Sequence, residues 1–142
     1  MIDPDSPFVL IQALATVGRG RLLDRLAARG HADIGMPDVK LLWCLGDTPI
    51  NVQRAAEMTG TTKQFAARTI AKLSTTGLVK TAPDPSDGRA IAITATRKGA
   101  ALLKIIREEK DAIERTWHAA LGGPAYAALT EAMGAVLEDL RK

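Results

Sequence analysis

Along most of the chain, apolar residues recur with the helical period, and short polar runs separate them. Over residues 8–29, Ile11, Leu14, Val17, Leu22 and Leu26 fall at helical spacing, with Ser6 as a cap and Pro7 at the first helical position. Gly18 and Gly20 weaken the middle of this helix by up to about 1 kcal/mol each relative to Ala, and Gly30 stops it. Residues 31–36 read as a loop. Pro37-Asp38 opens a short second helix over residues 39–45, closed by Gly46-Asp47-Thr48-Pro49. Asn51 caps a third over residues 52–58. Thr59-Gly60-Thr61 is a tight turn, and Thr62 caps a fourth helix reaching about Thr75, with Ala66, Ile70 and Leu73 as its buried stripe. Gly77 closes it.

The period then changes to two. Residues 78–82 and 89–95 read as short strands, with Ile91, Ile93 and Ala95 alternating with Ala90, Ala92 and Thr94. Between them lies the polar tip Pro83-Asp84-Pro85-Ser86-Asp87-Gly88. Thr96 caps a long helix to Leu121, whose middle, residues 107–111, is solidly charged. Gly122-Gly123 breaks it, and Pro124 starts a last helix with Leu129, Met133, Val136, Leu137 and Leu140 on one face. The expected fold is mainly α with a small β-hairpin wing. A winged helix-turn-helix lobe over residues 38–95 is flanked by dimerisation helices at 6–29 and 96–140, all within one chain, 1–142. The flanking helices carry apolar faces with no core of their own to fill, so they are expected to pack against a second copy.

Charge sharpens the picture. Between Gly60 and Lys98 stand seven cations (Lys63, Arg68, Lys72, Lys80, Arg89, Arg97 and Lys98) against two acids, Asp84 and Asp87. That segment is therefore +5, and the remainder must carry −2 to reach the chain's +3. A positive field confined to a helix-turn-helix and its hairpin suits duplex DNA better than a small substrate. Lys63, Gln64, Arg68 and Lys72 lie off the buried stripe of the fourth helix. Gln pairs with adenine, Arg with guanine, and Lys with guanine or phosphate. Thr61 and Thr62 sit at the helix N-terminus, where N–H groups favour a phosphate. Phe65 falls beside Arg68 and Lys72 on the helical wheel and is expected to fold sideways onto the preceding helix.

The hairpin is the most specific signal. Gly77-Leu78-Val79, then Asp84-Pro85-Ser86-Asp87-Gly88-Arg89, then Thr96-Arg97-Lys98-Gly99 resemble, in order and spacing, the wing of MarR-type regulators. The resemblance extends to the helix-turn-helix and both helical flanks. It implies a homodimeric winged-helix transcription regulator on a palindromic operator, with the fourth helix in the major groove. It also implies that Arg89 enters the minor groove with Asp87 positioning it. The chain departs from that pattern at Gly88, where the family often has a first Arg, at Thr81, at Ala95 and at Phe65.

Other chemistry is thinly represented. One Cys and two His, with no nucleophile–base arrangement and no phosphate-binding Gly-rich loop, point away from an enzyme, a cofactor or a bound metal. Cys44, inside Leu41-Leu42-Trp43-Cys44-Leu45, reads as inert core packing rather than a redox sensor. His31 and Asp33 alone are too few for a metal site. No apolar stretch approaches the roughly 18–20 residues that span a bilayer, and the first residues lack a signal peptide's basic start and apolar core. A soluble cytoplasmic protein is expected. A small-molecule effector is expected between the lobe and the dimer helices, lined by helices one, two and five, with Trp43 as a candidate wall. Two rival readings are a winged-helix protein-interaction module and a ligand carrier with weak DNA binding.

Overall fold

Four of the six helices begin on side-chain caps, and these caps set where the chain turns. Ser6 accepts from the Val9 N–H, Asn51 from Arg54, Thr62 from Phe65 and Thr96 from Gly99. In the computed structural model, which describes residues 1–142, the elements are α1 (Pro7–Ala28), α2 (Met36–Cys44), β1 (Ile50–Asn51), α3 (Val52–Thr59), α4 (Lys63–Thr75), β2 (Val79–Pro83), β3 (Ile91–Ala95), α5 (Arg97–Leu121) and α6 (Gly123–Leu140). The architecture is a winged helix with long helical flanks, as expected.

Three features differ from the sequence reading. α2 starts at Met36, because the Asp38 carboxylate accepts from the Gly35 N–H and closes the first turn earlier. The wing is a three-stranded antiparallel sheet in the order β1-β3-β2, not a bare hairpin, since Ile50 pairs with Ile93. A two-residue strand carries no periodicity and shows only once its partner is in place. Arg89 and Ala90 belong to the tip rather than to β3, and Ile91 is exposed while Ala92 and Ile93 are buried.

A single apolar core joins the lobe to its flanks. Leu26, Val39, Leu42, Leu73, Ile93 and Ile106 are fully enclosed, drawn from α1, α2, α4, β3 and α5. α1 is divided: Leu22 and Leu26 enter this core, while Ile11, Leu14 and Val17 stay exposed. Gly18 has a packing role, since the Trp117 ring lies against its open side. α6 buries no residue at all.

Candidate nucleic-acid interface

The turn between α3 and α4 determines how α4 is presented. Gly60 takes the left-handed conformation at φ +68°, and the Thr61 N–H then returns to the Ala56 carbonyl at 3.0 Å. The Thr61 and Thr59 hydroxyls share a hydrogen bond at 2.9 Å, so Thr61 is half-buried in the turn. Thr62 is exposed, but its hydroxyl is occupied as the cap of α4. On α4, Ala66, Thr69, Ile70 and Leu73 are buried. Lys63, Gln64 and Arg68 stand exposed off that stripe, as the helical spacing requires.

Lys72 differs from its neighbours. Its ammonium turns back to the Asp38 carboxylate at 2.5 Å and also donates to the Asp33 carbonyl at 2.9 Å. A lysine on the outer face by sequence is thus committed to an ion pair with a buried acid, and it leaves the set of free cations. Phe65 is 37% exposed, with the Arg68 guanidinium 5.8 Å above its ring, and it lines a cavity together with residues of α1 and α2 and with Thr59 of the preceding helix α3.

The wing tip is ordered by its own acids. The Asp84 side chain accepts from both the N–H and the hydroxyl of Ser86, and those two bonds hold its carboxyl below the usual carboxylate range. The Asp87 side chain accepts from the Arg89 N–H at 3.0 Å. Asp87 therefore sets the backbone from which Arg89 projects and does not pair with the guanidinium. Arg89 itself is exposed, and no acid lies within salt-bridge distance of it.

A cavity of about 460 Å³ opens beside α4. Its walls come from α1 (Arg19, Leu23), α2 (Met36, Lys40, Leu41) and α4 (Phe65, Thr69). This differs from the expected ligand position: α4, with Thr59 of α3 and Thr61 of the turn, takes the place of α5. Trp43 is not among the lining residues and is 42% exposed elsewhere on α2. Cys44 is half-buried rather than enclosed, and its thiol donates to the Lys40 carbonyl. Burial pushes that thiol up, against a smaller opposing pull from Arg54. No three His, Cys, Asp or Glu side chains converge into a metal-binding group. No helix is long and apolar enough to cross a membrane.

Asp38 and the groove cations Arg19 and Lys40 escaped the sequence reading. Asp38 did give one local signal, an acid three residues after Gly35 in a first turn. Its distant partner, Lys72, gave none.

Residues 32–90 match the family model for the MarR family. The fold as a whole is similar to the reduced form of MarR from E. coli, with a TM-score of 0.83 at 19% identity, over 96% of this chain and 99% of that one. It is similar to a MarR transcriptional regulator from Methanosarcina mazei Go1, with a TM-score of 0.82 at 20% identity, over 94% and 96% of the two chains. It is also similar to the PcaV transcriptional regulator from Streptomyces coelicolor, a structure in complex with its natural ligand, with a TM-score of 0.75 at 18% identity, over 97% and 96%. No curated protein matches the chain.

Proposed function

The central lobe of this chain, residues 32–90, is a MarR-family winged helix, and from that premise we propose that the protein is a cytoplasmic, non-enzymatic transcription regulator that binds duplex DNA as a homodimer. The observation that carries the reading is the outer face of α4. Lys63, Gln64 and Arg68 are exposed together opposite a fully buried stripe, and Arg89 projects from an ordered wing on the same lobe. α4 enters the major groove, where Gln64 and Arg68 face base edges and Lys63 a phosphate or guanine. Arg89 enters the minor groove, whose narrow A·T-rich stretches attract a guanidinium. Two lobes related by a two-fold axis read an inverted repeat with half-sites about 34–36 Å apart.

The PcaV regulator was solved in complex with its natural ligand, which supports reading the cavity beside α4 as a candidate ligand site here. A ligand seated among Leu23, Met36 and Leu41, with Arg19 and Lys40 within reach, would also touch Phe65 and Thr69 on α4. It would change DNA affinity by favouring one placement of α4 over another.

The test is an anisotropy titration against the chain's own upstream DNA at several salt concentrations. Binding falls steeply with salt, and Arg89→Ala weakens it by about 1–3 kcal/mol, the scale of one well-placed contact. The loss is largest with A·T-rich flanks. Binding that ignores salt, or an Arg89→Ala variant with unchanged affinity and flank preference, overturns the reading in favour of a protein-interaction module or a ligand carrier.

A further inference from the structure

Asp38 is the only charged residue buried in the molecule, at 3% exposure. A buried carboxylate is retained at large cost unless its oxygens are bonded and its charge is paired. Here one oxygen, Oδ2, meets both needs. It accepts from the Gly35 N–H at 2.9 Å and from the Lys72 ammonium at 2.5 Å. Lys72 in turn donates to the Asp33 carbonyl. The loop before α2, the first turn of α2 and the second half of α4 are thereby joined at a single point.

No other side chain of α4 hydrogen-bonds beyond that helix and its Thr62 cap. At its C-terminal end α4 is tied by Lys98, which donates to the Thr76 carbonyl, and by the Leu78 N–H, which donates to the Leu73 carbonyl. Along its length the remaining seating is apolar contact through Ala66, Ile70 and Leu73, which is strong but carries no direction. Apolar contact resists lifting the helix away more than it resists rolling it. On a helix about 5–6 Å in radius, a roll of about 15° moves side-chain tips by about 1.5 Å. That displacement is enough to break a paired hydrogen bond to a base.

We propose that Asp38 is a positioning residue for DNA recognition: through Lys72 it fixes the rotation of α4 about its own axis, and with it the aim of Gln64 and Arg68. Lys72 serves orientation and not phosphate binding. The proposal rests on the DNA-reading function argued above.

Bulk charge and positioning make opposite demands on Asp38→Asn. Removing an acid from the reading lobe and freeing a lysine should tighten DNA binding if charge alone matters. If Asp38 positions α4, operator binding weakens. The amide oxygen still accepts from Gly35, so α2 keeps its first turn. The experiment measures affinity of the full chain for its upstream operator and for a scrambled duplex of equal length, across salt, for wild type, Asp38→Asn, Lys72→Met and the double variant. Circular dichroism checks the fold of each.

In both single variants the operator-to-scrambled ratio falls by about tenfold, the scale of one lost base contact. Scrambled binding does not weaken in Asp38→Asn, the salt slope is unchanged in Lys72→Met, and the double variant is no worse than either single. A destabilised control away from the pair, Ile113→Val, keeps the wild-type ratio, which separates positioning from general loss of stability. Lys72→Met leaves the buried carboxylate unpaired; should it fail to fold, Asp38→Asn and the double variant, neither of which leaves a buried charge, still decide the matter. Three results overturn the proposal: an unchanged or raised ratio in Asp38→Asn, an unchanged ratio in Lys72→Met, or an equal loss on both duplexes in Lys72→Met with the salt slope reduced by about one. Wild-type protein that binds neither duplex overturns the DNA-reading function itself, and the proposal with it.

Discussion

At Gly99 an added Cβ would lie 1.9 Å from the Leu78 carbonyl oxygen, a backbone atom that cannot step aside. The same carbonyl accepts from the Thr96 N–H at 3.1 Å, and the Thr96 hydroxyl reaches the Gly77 carbonyl and caps α5. The motif Thr96-Arg97-Lys98-Gly99 is thus a weld between the start of the wing and the start of α5. Gly99→Ala forces α5 away from it and destabilises the protein by at least the roughly 1–3 kcal/mol typical of overpacking. Gly88→Ala, where nothing lies within 4 Å, stays within about 0.5 kcal/mol of wild type. Urea midpoints for the two variants check this contrast, and equal midpoints refute it. Cys44 is the other residue whose setting decides its chemistry. Desolvation keeps it a thiol at neutral pH, and the nucleophilic form is the thiolate. Peroxide therefore leaves DNA binding intact and Cys44→Ser behaves as wild type, whereas Cys44-dependent release by peroxide would make the protein a redox sensor.

Between elements, α1 and α5 are held by charge as well as by Leu22 and Leu26. Arg25 bonds Glu109, and Arg29 bonds both Glu108 and Glu109. The hydrogen bond from Arg25, joined by that from Arg29 and opposed by burial, holds the Glu109 carboxyl below the usual carboxylate range. A depressed carboxylate stabilises the fold above its unfolded value, about 4.3, and that contribution is lost as pH falls through the folded value. Glu109→Gln is therefore less stable than wild type at pH 7, and the gap closes as the medium becomes more acidic than the carboxylate range. Thermal melts across pH test this, and a gap independent of pH means the pair contributes nothing electrostatic. The charged run at residues 107–111 was visible in the sequence, but its partners were not, because Arg25 lies 84 positions away from Glu109. The same holds for Lys72 and Asp38. Elements with local signals were legible: the caps Ser6, Asn51, Thr62 and Thr96, the tight turn at Gly60 and the polar wing tip. What depends on distant juxtaposition was not: β1, the Lys72 pair, and a cavity walled by α4 in place of α5.

For the whole molecule, the unresolved physical demand is the apolar surface at its ends. Phe8, Leu14 and Val17 on α1 and Val136, Leu137 and Leu140 on α6 are all at least half exposed. An 18-residue helix with no buried residue is not held in place by its own chain beyond a modest contact with α5. Burying one such side chain is worth about 1.5–3 kcal/mol, so covering both faces supplies ample drive for association. A second copy is the partner that offers both faces at once, and it doubles the positive reading lobe on one surface. The wild-type chain is accordingly expected to be a dimer at micromolar concentration, with light scattering giving twice the 15.1 kDa chain mass. Leu137→Glu places a charge on the α6 face and shifts the mass toward a single chain or toward aggregate. Loss of the dimer also has a signature on DNA. The slope of log affinity against log salt counts phosphates neutralised, so one lobe on one half-site gives about half the wild-type slope. Affinity for the inverted repeat should then fall to that for an isolated half-site. A wild-type chain that is monomeric and stable, or a Leu137→Glu variant that stays dimeric with an unchanged slope, removes the two-half-site arrangement and leaves α6 without a role.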